Sequence, residues 1–160
     1  MSALTSKIEN ELSPITNELG CVIVRVSLFS YEKGKTLQIM IEKEDGNSAT
    51  IDDCEKVSRA VSIELDVLNP ISGHYNLEVS STGVDRPLTK PEDFMRFCEK
   101  PVVVKTFVLK NDKKIFKGTL ESASENGIKL LLDTPLSDGG NSVELTYEEI
   151  SSAHIDGFKL

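Results

Sequence analysis

The segment from Leu77 to Leu88 places the strongest constraint on the fold of this chain. It begins with alternating apolar and polar residues, the pattern of a β-strand with one buried face. Thr82-Gly83 ends that strand, because glycine permits a backbone turn that other residues resist. Asp85-Arg86-Pro87 follows, and its proline fixes φ and favours extended backbone at Arg86. A strand, a turn and a pair of opposite charges in so short a run predict a connection between two structural units, with no sign of an active site.

Length and cysteine content limit the class of protein. The chain has 160 residues, 39% of them hydrophobic, which suits one ordinary globular domain or two small ones. No apolar run reaches the roughly 18 residues of a membrane span, and the N-terminus lacks the apolar core of a secretory signal. Cys21, Cys54 and Cys98 are far apart and odd in number. They are expected to be reduced thiols of a cytosolic protein, without disulfides or zinc.

The charge of the chain bears on its partners. The formal net charge is −8, whereas tight and autonomous binding to nucleic acid requires a basic surface. An acidic first half suits a basic protein partner. The second half contains a lysine patch, in which only Asp112 opposes Lys105, Lys110, Lys113, Lys114 and Lys117. This patch either contacts phosphate or is ordinary solvated surface charge.

Helical and strand periodicity predict a helix–strand–strand–helix–strand order for the first half. The first helix carries apolar residues from Leu4 to Leu19, is expected to kink or break at Pro14, and is capped by Gly20. Strands at 21–30 and 37–41 are expected to form a hairpin around a turn at residues 32–35. A second helix begins at Asp52, with a capping box to Glu55, and stops at Asn69-Pro70. With a third strand at 74–80, the sequence predicts a three-stranded sheet covered by two helices.

The pattern changes to short strands after residue 100. A short helical turn starting at Pro91 precedes them and directs Phe94 and Phe97 inward. The strands are predicted at residues 102–108, 115–122, 128–133, 142–146 and 153–156, with a helical turn at 147–149. Five short strands predict a small closed barrel. The expected fold class is α+β, with an α/β domain at 1–86 and a β-barrel domain at 87–160.

No motif indicates catalysis or a bound cofactor. There is no Walker A loop, no dinucleotide-binding glycine motif and no complete nucleophile elbow. His74 and His154 lie in different predicted units, and Asp52-Asp53 is explained by helix capping. The first half has the element order of KH-type RNA domains but lacks their Gly-x-x-Gly loop. Phe29 and Tyr31 lie near one turn without interleaved arginine, so an aromatic stacking platform is not predicted.

The Asp85-Arg86 pair permits two interpretations. In the structural one, the two side chains bridge and pin a corner between domains, while the hydroxyls of Ser80 and Ser81 cap free amides of the turn. In the functional one, Arg86 is presented to an RNA phosphate or to a carboxylate of a partner. The proline next to Arg86 favours the structural interpretation.

Motif residues in both halves carry a resemblance to a known family. They are Asp52-Asp53-Cys54, Val57-Ser58-Arg59, Tyr75-Asn76-Leu77-Glu78-Val79-Ser80-Ser81, Gly83, Asp85-Arg86-Pro87-Leu88, Phe94 and Arg96-Phe97. In this order they resemble the RimP family of ribosome maturation factors, whose members are bacterial and cytoplasmic. The resemblance implies an N-terminal α/β domain followed by an SH3-like, Sm-related barrel. The central motif residues that it singles out are Glu78, Ser80, Ser81, Gly83, Asp85, Arg86 and Pro87.

The same resemblance implies a function. Family members are non-enzymatic assembly factors that bind the free small (30S) ribosomal subunit and assist its late maturation. The implied partner is a basic ribosomal protein near the decoding centre, with adjacent ribosomal RNA. Two departures concern local geometry only: Thr82 stands where the family usually has proline, and Cys98 follows the Arg-Phe pair where glycine is common. The alternative hypothesis is a free-standing RNA-binding regulator that uses the barrel and the lysine patch.

Overall fold

Two sets of buried apolar side chains, one from each half of the chain, form two separate hydrophobic cores. The computed structural model describes residues 2–32 and 34–159. Lys33, in the predicted hairpin turn, lies outside these ranges. The chain divides into two compact units, of which the first ends at Gly83 and the second begins at Val84.

The first unit has the predicted order of elements. They are α1 (Ala3–Glu18), β1 (Cys21–Tyr31), β2 (Gly34–Lys43), α2 (Ile51–Leu68) and β3 (Tyr75–Ser81). The central strand β2 pairs with β1 in antiparallel and with β3 in parallel orientation. Residues Leu37, Ile39 and Ile41 of β2 are fully buried, because both helices contribute apolar side chains to the same core. A central strand with one such face fixes the register of the whole sheet.

Helix α1 is a single helix that contains Pro14, so the predicted alternative of a break into two pieces is wrong. Proline removes one backbone N–H donor but leaves the buried side chains Ile8 and Leu12, one turn apart, packed on the sheet. Ile15, which follows the proline, packs against the same core, so side chains on both sides of Pro14 hold the helix in place. Gly20, with φ +77°, follows the helix as predicted. Within the described residues, no helix is long and apolar enough to cross a membrane.

The N-cap of α2 lies two residues before the predicted one. Thr50 is the N-cap: its hydroxyl accepts a hydrogen bond from the Asp53 N–H at 3.1 Å, and the Asp53 carboxylate accepts one from the Thr50 N–H at 2.9 Å. The predicted box of Asp52 with Glu55 is therefore wrong. The helix begins at Ile51, so Asp52 and Asp53 both lie in its first turn, where the helix dipole favours negative charge.

The second unit contains the predicted short helix and five strands. The elements are α3 (Pro91–Arg96), β4 (Pro101–Lys110), β5 (Lys113–Ala123), β6 (Gly127–Leu132), β7 (Ser142–Thr146), a 3₁₀ turn (Tyr147–Glu149) and β8 (Ile150–Ile155). All pairings are antiparallel in the order β7-β6-β5-β4-β8. The small barrel-like architecture is confirmed. The expectation of a closed barrel is wrong, because β7 and β8 are the two edges of the described sheet and do not pair.

Candidate functional site

The turn of the sequence motif begins at the end of β3. Glu78 of that strand accepts a hydrogen bond from the Gln38 side chain at 3.3 Å, and Ser80 and Ser81 pair with Met40 and Ile41 of β2. Gly83 has φ +70°, a conformation that favours glycine, with open space where a Cβ would lie. The requirement at residue 83 is therefore one of backbone conformation and not of close packing.

Asp85 anchors the start of the second unit to its end. The Asp85 carboxylate accepts a hydrogen bond from the Gly157 N–H at 3.0 Å. A Cβ at Gly157 would lie 2.5 Å from the Val84 carbonyl oxygen, so only glycine allows the two segments to approach this closely. The Leu88 N–H and the Arg86 carbonyl add backbone hydrogen bonds to β8. Residues 84–88 are thus tied to the last strand of the same unit.

Arg86 lies inside the second unit and has Asp93 as an ionic partner. Its side chain donates to the Asp93 carboxylate at 3.3 Å and to the Pro87 carbonyl oxygen at 2.8 Å, and it is only 8% exposed as a residue. The guanidinium also lies 5.0 Å from the centre of the Phe97 ring, a cation–π contact. An arginine held in this way is not presented at the surface, which favours the structural interpretation of residue 86.

Asp93 is a residue that the sequence reasoning missed. Its second carboxylate oxygen accepts hydrogen bonds from the Thr89 N–H and hydroxyl and from the Lys90 N–H, at 2.9–3.2 Å. One carboxylate therefore caps the start of α3 and neutralises Arg86. Its place directly after Pro91-Glu92, in the first turn of a helix, was the available signal.

The five lysines of the lysine patch are separated by the structure into two groups. Lys110 forms an ion pair with Glu149 at 3.1 Å and donates to the Glu144 carbonyl oxygen at 2.7 Å. The hydrogen bond from the Thr146 N–H, followed by the contact with Lys110, lowers the pKa of Glu149. Lys110 is thus engaged within the protein. Lys105, Lys113, Lys114 and Lys117 form no ion pair with any residue in the ranges 2–32 and 34–159.

The four unpaired lysines flank an exposed apolar segment in β4. Phe107, Val108 and Leu109 are 64–65% exposed, and Ile115 on the neighbouring strand is 53% exposed. A strand with one buried face would expose only alternate side chains. Three consecutive exposed apolar residues are therefore unusual, and we name Phe107, Val108 and Leu109 the apolar bulge.

Strand pairing explains why all three side chains of the apolar bulge are exposed. Lys105 pairs with Ile115 and Lys110 pairs with Lys113, so on the β5 side residues 106–109 of β4 face Lys114 alone. Such a bulge bends its strand and redirects side chains. The Thr106 side chain stabilises the bulge from its buried side. This residue is 2% exposed, and its hydroxyl donates to the Val108 carbonyl oxygen at 2.7 Å. The sequence signal for the bulge was the loss of alternation just before Asn111-Asp112.

A small cleft adjoins the same strands. It has a volume of about 160 Å³ and is lined by Lys113, Ile115, Phe116, Lys117, Leu132 and Thr134. Two of the unpaired lysines thus lie at the edge of an apolar depression. The arrangement combines positive charge with apolar contact area and contains no acid–base pair or nucleophile.

Metal ligands, thiols and a histidine are the remaining candidates for chemistry in the described part of the chain. No group of three or more potential metal ligands occurs there. Burial raises the pKa of the thiols of Cys21 and Cys54, which disfavours the nucleophilic thiolate form. The ring nitrogen Nδ1 of His154 contacts the Ile155 carbonyl oxygen at 2.9 Å.

The open face of the first unit's sheet carries a feature that the sequence reasoning also missed. After a register shift at Ile23, Arg25, Ser27 and Phe29 lie on one face of β1, and the buried Val26 lies on the other face. Phe29 and Tyr31 stack with ring centres 6.1 Å apart. Arginine therefore shares a strand face with the aromatic residues, although burial lowers the pKa of Arg25 and its side chain contacts Gln38 and Met40.

Comparison with known families identifies the first unit. The family model described as the RimP N-terminal domain matches residues 11–85. The match extends from the middle of α1 to the residue that follows Val84, and it includes the β3 motif and Gly83. The resemblance inferred from the motif residues is confirmed.

Proposed function

We propose that this chain, which belongs to the RimP family of ribosome maturation factors, binds the free small ribosomal subunit and assists its maturation in the cytoplasm. The observation that carries the proposal is the family match over residues 11–85, which spans most of the first unit. The role in ribosome maturation follows from the family match, and binding to the free small subunit is the part of the proposal that the experiment below tests.

The charge of the chain supports a ribosomal partner of opposite sign. The protein has a formal net charge of −8, and complementary charge accelerates association and fixes orientation between proteins. We propose a basic ribosomal protein near the decoding centre as the protein partner, with adjacent ribosomal RNA.

The proposed function requires binding and no chemical step. The internal Arg86–Asp93 pair serves folding of the second unit. The described surface carries the apolar bulge and the four unpaired lysines, which suit contact with a macromolecule. We therefore propose a non-enzymatic assembly factor.

Sedimentation of the full chain with separated ribosomal particles tests this proposal. The protein should move with the free small subunit and should not move with complete ribosomes or with the large subunit, which serves as the control. Equal association with all three particles, or association with none of them, would contradict the proposal.

The unpaired lysines favour a second candidate, a free-standing RNA-binding regulator. Such a protein would bind RNA without ribosomal proteins, and its affinity would fall steeply with salt, because each lysine–phosphate contact releases counterions. Replacing Lys113, Lys114 and Lys117 by glutamine should then abolish most of the binding. RNA affinity that stays unchanged in this variant would exclude the regulator.

A further inference from the structure

The apolar bulge and the lysines around it lie on the hairpin of β4 and β5, which gives the bulge a defined backbone geometry. Residues 106–109 face a single residue of β5, and the buried Thr106 hydroxyl bonds to the Val108 carbonyl oxygen within this bulge. The hairpin then closes through Asn111 and Asp112, whose φ values of 52° and 62° are those of a tight two-residue turn. The apolar side chains are therefore held outward by defined backbone geometry at the end of a hairpin.

Exposure of these apolar side chains to water is unfavourable in free energy. Phe107, Val108 and Leu109 each leave about two thirds of their surface in water. Contiguous exposed apolar residues on a soluble protein commonly mark an interaction site. A hydrogen-bonded bulge that maintains such exposure is expected to serve a contact with another molecule.

The charges next to the bulge determine the chemistry of that molecule. Residues 105–117 contain five lysines and one aspartate in a chain whose net charge is −8. Lys110 is paired with Glu149, while Lys105, Lys113, Lys114 and Lys117 remain unpaired within the described ranges. The hairpin is thus a positive region on an acidic protein. It repels a basic protein and attracts a polyanion.

Among polyanions, RNA fits both properties of the surface. Lysine is depleted from the cores of protein–protein interfaces but is a common phosphate ligand. Aromatic and aliphatic side chains contact unstacked bases and the sugar edge of RNA, which offers these apolar surfaces next to phosphates. An acidic protein would satisfy the lysines, but nothing on this surface would then require an aromatic residue at its centre.

We infer that the apolar bulge with Lys105, Lys113, Lys114 and Lys117 is a docking site for ribosomal RNA of the small subunit. This inference rests on the proposed function, which brings the protein to that particle. Phe107 and its two neighbours lie against bases or sugars, and the lysines neutralise the adjoining phosphates.

Two variants of the full chain separate the parts of this site. The first replaces Phe107, Val108 and Leu109 by serine, and the second replaces the four unpaired lysines by glutamine. Each is titrated against deproteinised ribosomal RNA of the small subunit, over a series of potassium chloride concentrations. All seven side chains lie outside the core, and hydrogen exchange of the β4 and β5 amides checks that the hairpin is intact.

The two variants should lose RNA affinity in different ways. Loss of the apolar side chains should weaken binding about tenfold or more, with the salt dependence unchanged, because base contacts release few counterions. Loss of the lysines should reduce the slope of log affinity against log salt by about 3, since each phosphate contact contributes roughly 0.7 to 0.9. Replacement of the same lysines by arginine should preserve the slope. Serine at Ile63 and Val67, which are exposed on α2, should leave binding unchanged.

Three results decide the inference. Wild-type affinity and slope in both variants would overturn it, even when the wild-type protein sediments with the small subunit. If the serine variant loses the subunit but binds the isolated RNA as tightly as the wild type, the bulge contacts a ribosomal protein and the RNA site is wrong. If the wild-type protein fails to sediment with the subunit, the proposed function fails, while the RNA titrations still decide the RNA contact.

Discussion

At the scale of single residues, Arg86 and Asp93 combine three structural tasks in one ion pair. The pair neutralises a buried charge, caps α3 through Thr89 and Lys90, and places a guanidinium against Phe97. Residues that act in several contacts at once are costly to replace, because each lost partner leaves another polar group unsatisfied.

Replacement of Asp93 by alanine should therefore destabilise the second unit strongly. Arg86 would lose its ion pair with Asp93 in a site that is only 8% exposed as a residue, and removing one partner of a buried ion pair costs about 3 kcal/mol or more. Hydrogen exchange of the β4 amides measures this loss within the full chain. Glu92→Ala, an exposed neighbour on the same helix, is the control. Equal stability of the two variants would show that the ion pair contributes little.

Acidification should weaken the start of α2. Hydrogen bonds from the Thr50 backbone and side chain lower the pKa of Asp53 below its ordinary value. A carboxyl group with a lowered folded-state pKa contributes stability above its unfolded pKa, about 3.9. That contribution disappears as the pH falls through the folded-state pKa. The free energy of unfolding of the first unit should therefore fall below about pH 4.

Asp53→Asn tests the source of that pH dependence. The variant lacks the titrating carboxyl group, so its unfolding free energy, measured with urea at several pH values, should change less steeply on acidification. Thr50→Ser keeps the capping hydroxyl and should retain the wild-type profile. A full wild-type pH slope in Asp53→Asn would assign the effect to other carboxyl groups.

At the scale of secondary-structure elements, β4 and α1 each contain a local irregularity that packing maintains. In β4 it is the bulge at 106–109, and in α1 it is Pro14 within a continuous helix. The bulge was not predicted, because the alternation rule describes an isolated strand. For Pro14 the sequence left a kink and a break as alternatives, because the proline rule describes an isolated helix. The buried hydroxyl of Thr106 and the buried faces of Ile8 and Leu12 override those rules.

Removal of the Thr106 hydroxyl should loosen the apolar bulge. Thr106→Val preserves shape but leaves the Val108 carbonyl oxygen without its 2.7 Å donor, a loss of about 1 kcal/mol. Amides 107–109 should exchange faster with solvent, whereas Thr106→Ser, which keeps the hydroxyl, should protect them. Unchanged exchange in the valine variant would mean that strand pairing alone maintains the bulge.

Replacement of Pro14 by alanine should stabilise the first unit. The alanine N–H would bond to the Asn10 carbonyl oxygen, and the helix would no longer accommodate the proline ring. The expected gain is about 2 kcal/mol in the free energy of unfolding, less than the full helix penalty of proline because proline also restricts the unfolded chain. Thermal unfolding measures it. A lower midpoint temperature than that of the wild type would show that the ring makes a favourable contact in α1.

At the scale of the whole molecule, two cores in one short chain raise the question of independent folding. We propose domains at 1–86 and 87–160. Leu88 and Phe94 belong to the second core, and α1, α2 and the three-stranded sheet enclose the first. Because each core has its own apolar side chains, each fragment is expected to fold by itself.

Expression of the two fragments tests this division. Each should unfold cooperatively and reproduce the amide spectrum that its residues give in the full chain. The first fragment is expected to tolerate a cut after residue 86. The second fragment is expected to be less stable, because the cut removes Asp85 and Arg86 from it. Both residues contact the second unit: Asp85 bonds to Gly157, and Arg86 to Asp93. If the second fragment is unfolded, a further variant that begins at Val84 should restore it, and failure of both would contradict the proposal.

Family membership and the order of elements were determined by the sequence, because both depend on local patterns. Apolar periodicity specifies helices and strands. The motif from Tyr75 to Leu88 is recognised from its residues alone, without knowledge of their contacts. Pairing partners were decided only by the tertiary structure. Arg86 bonds to Asp93, Lys110 to Glu149, and Asp85 to the distant Gly157. The exposure of Phe107, Val108 and Leu109 likewise depends on strand register, which the folded sheet fixes through contacts between residues far apart in sequence.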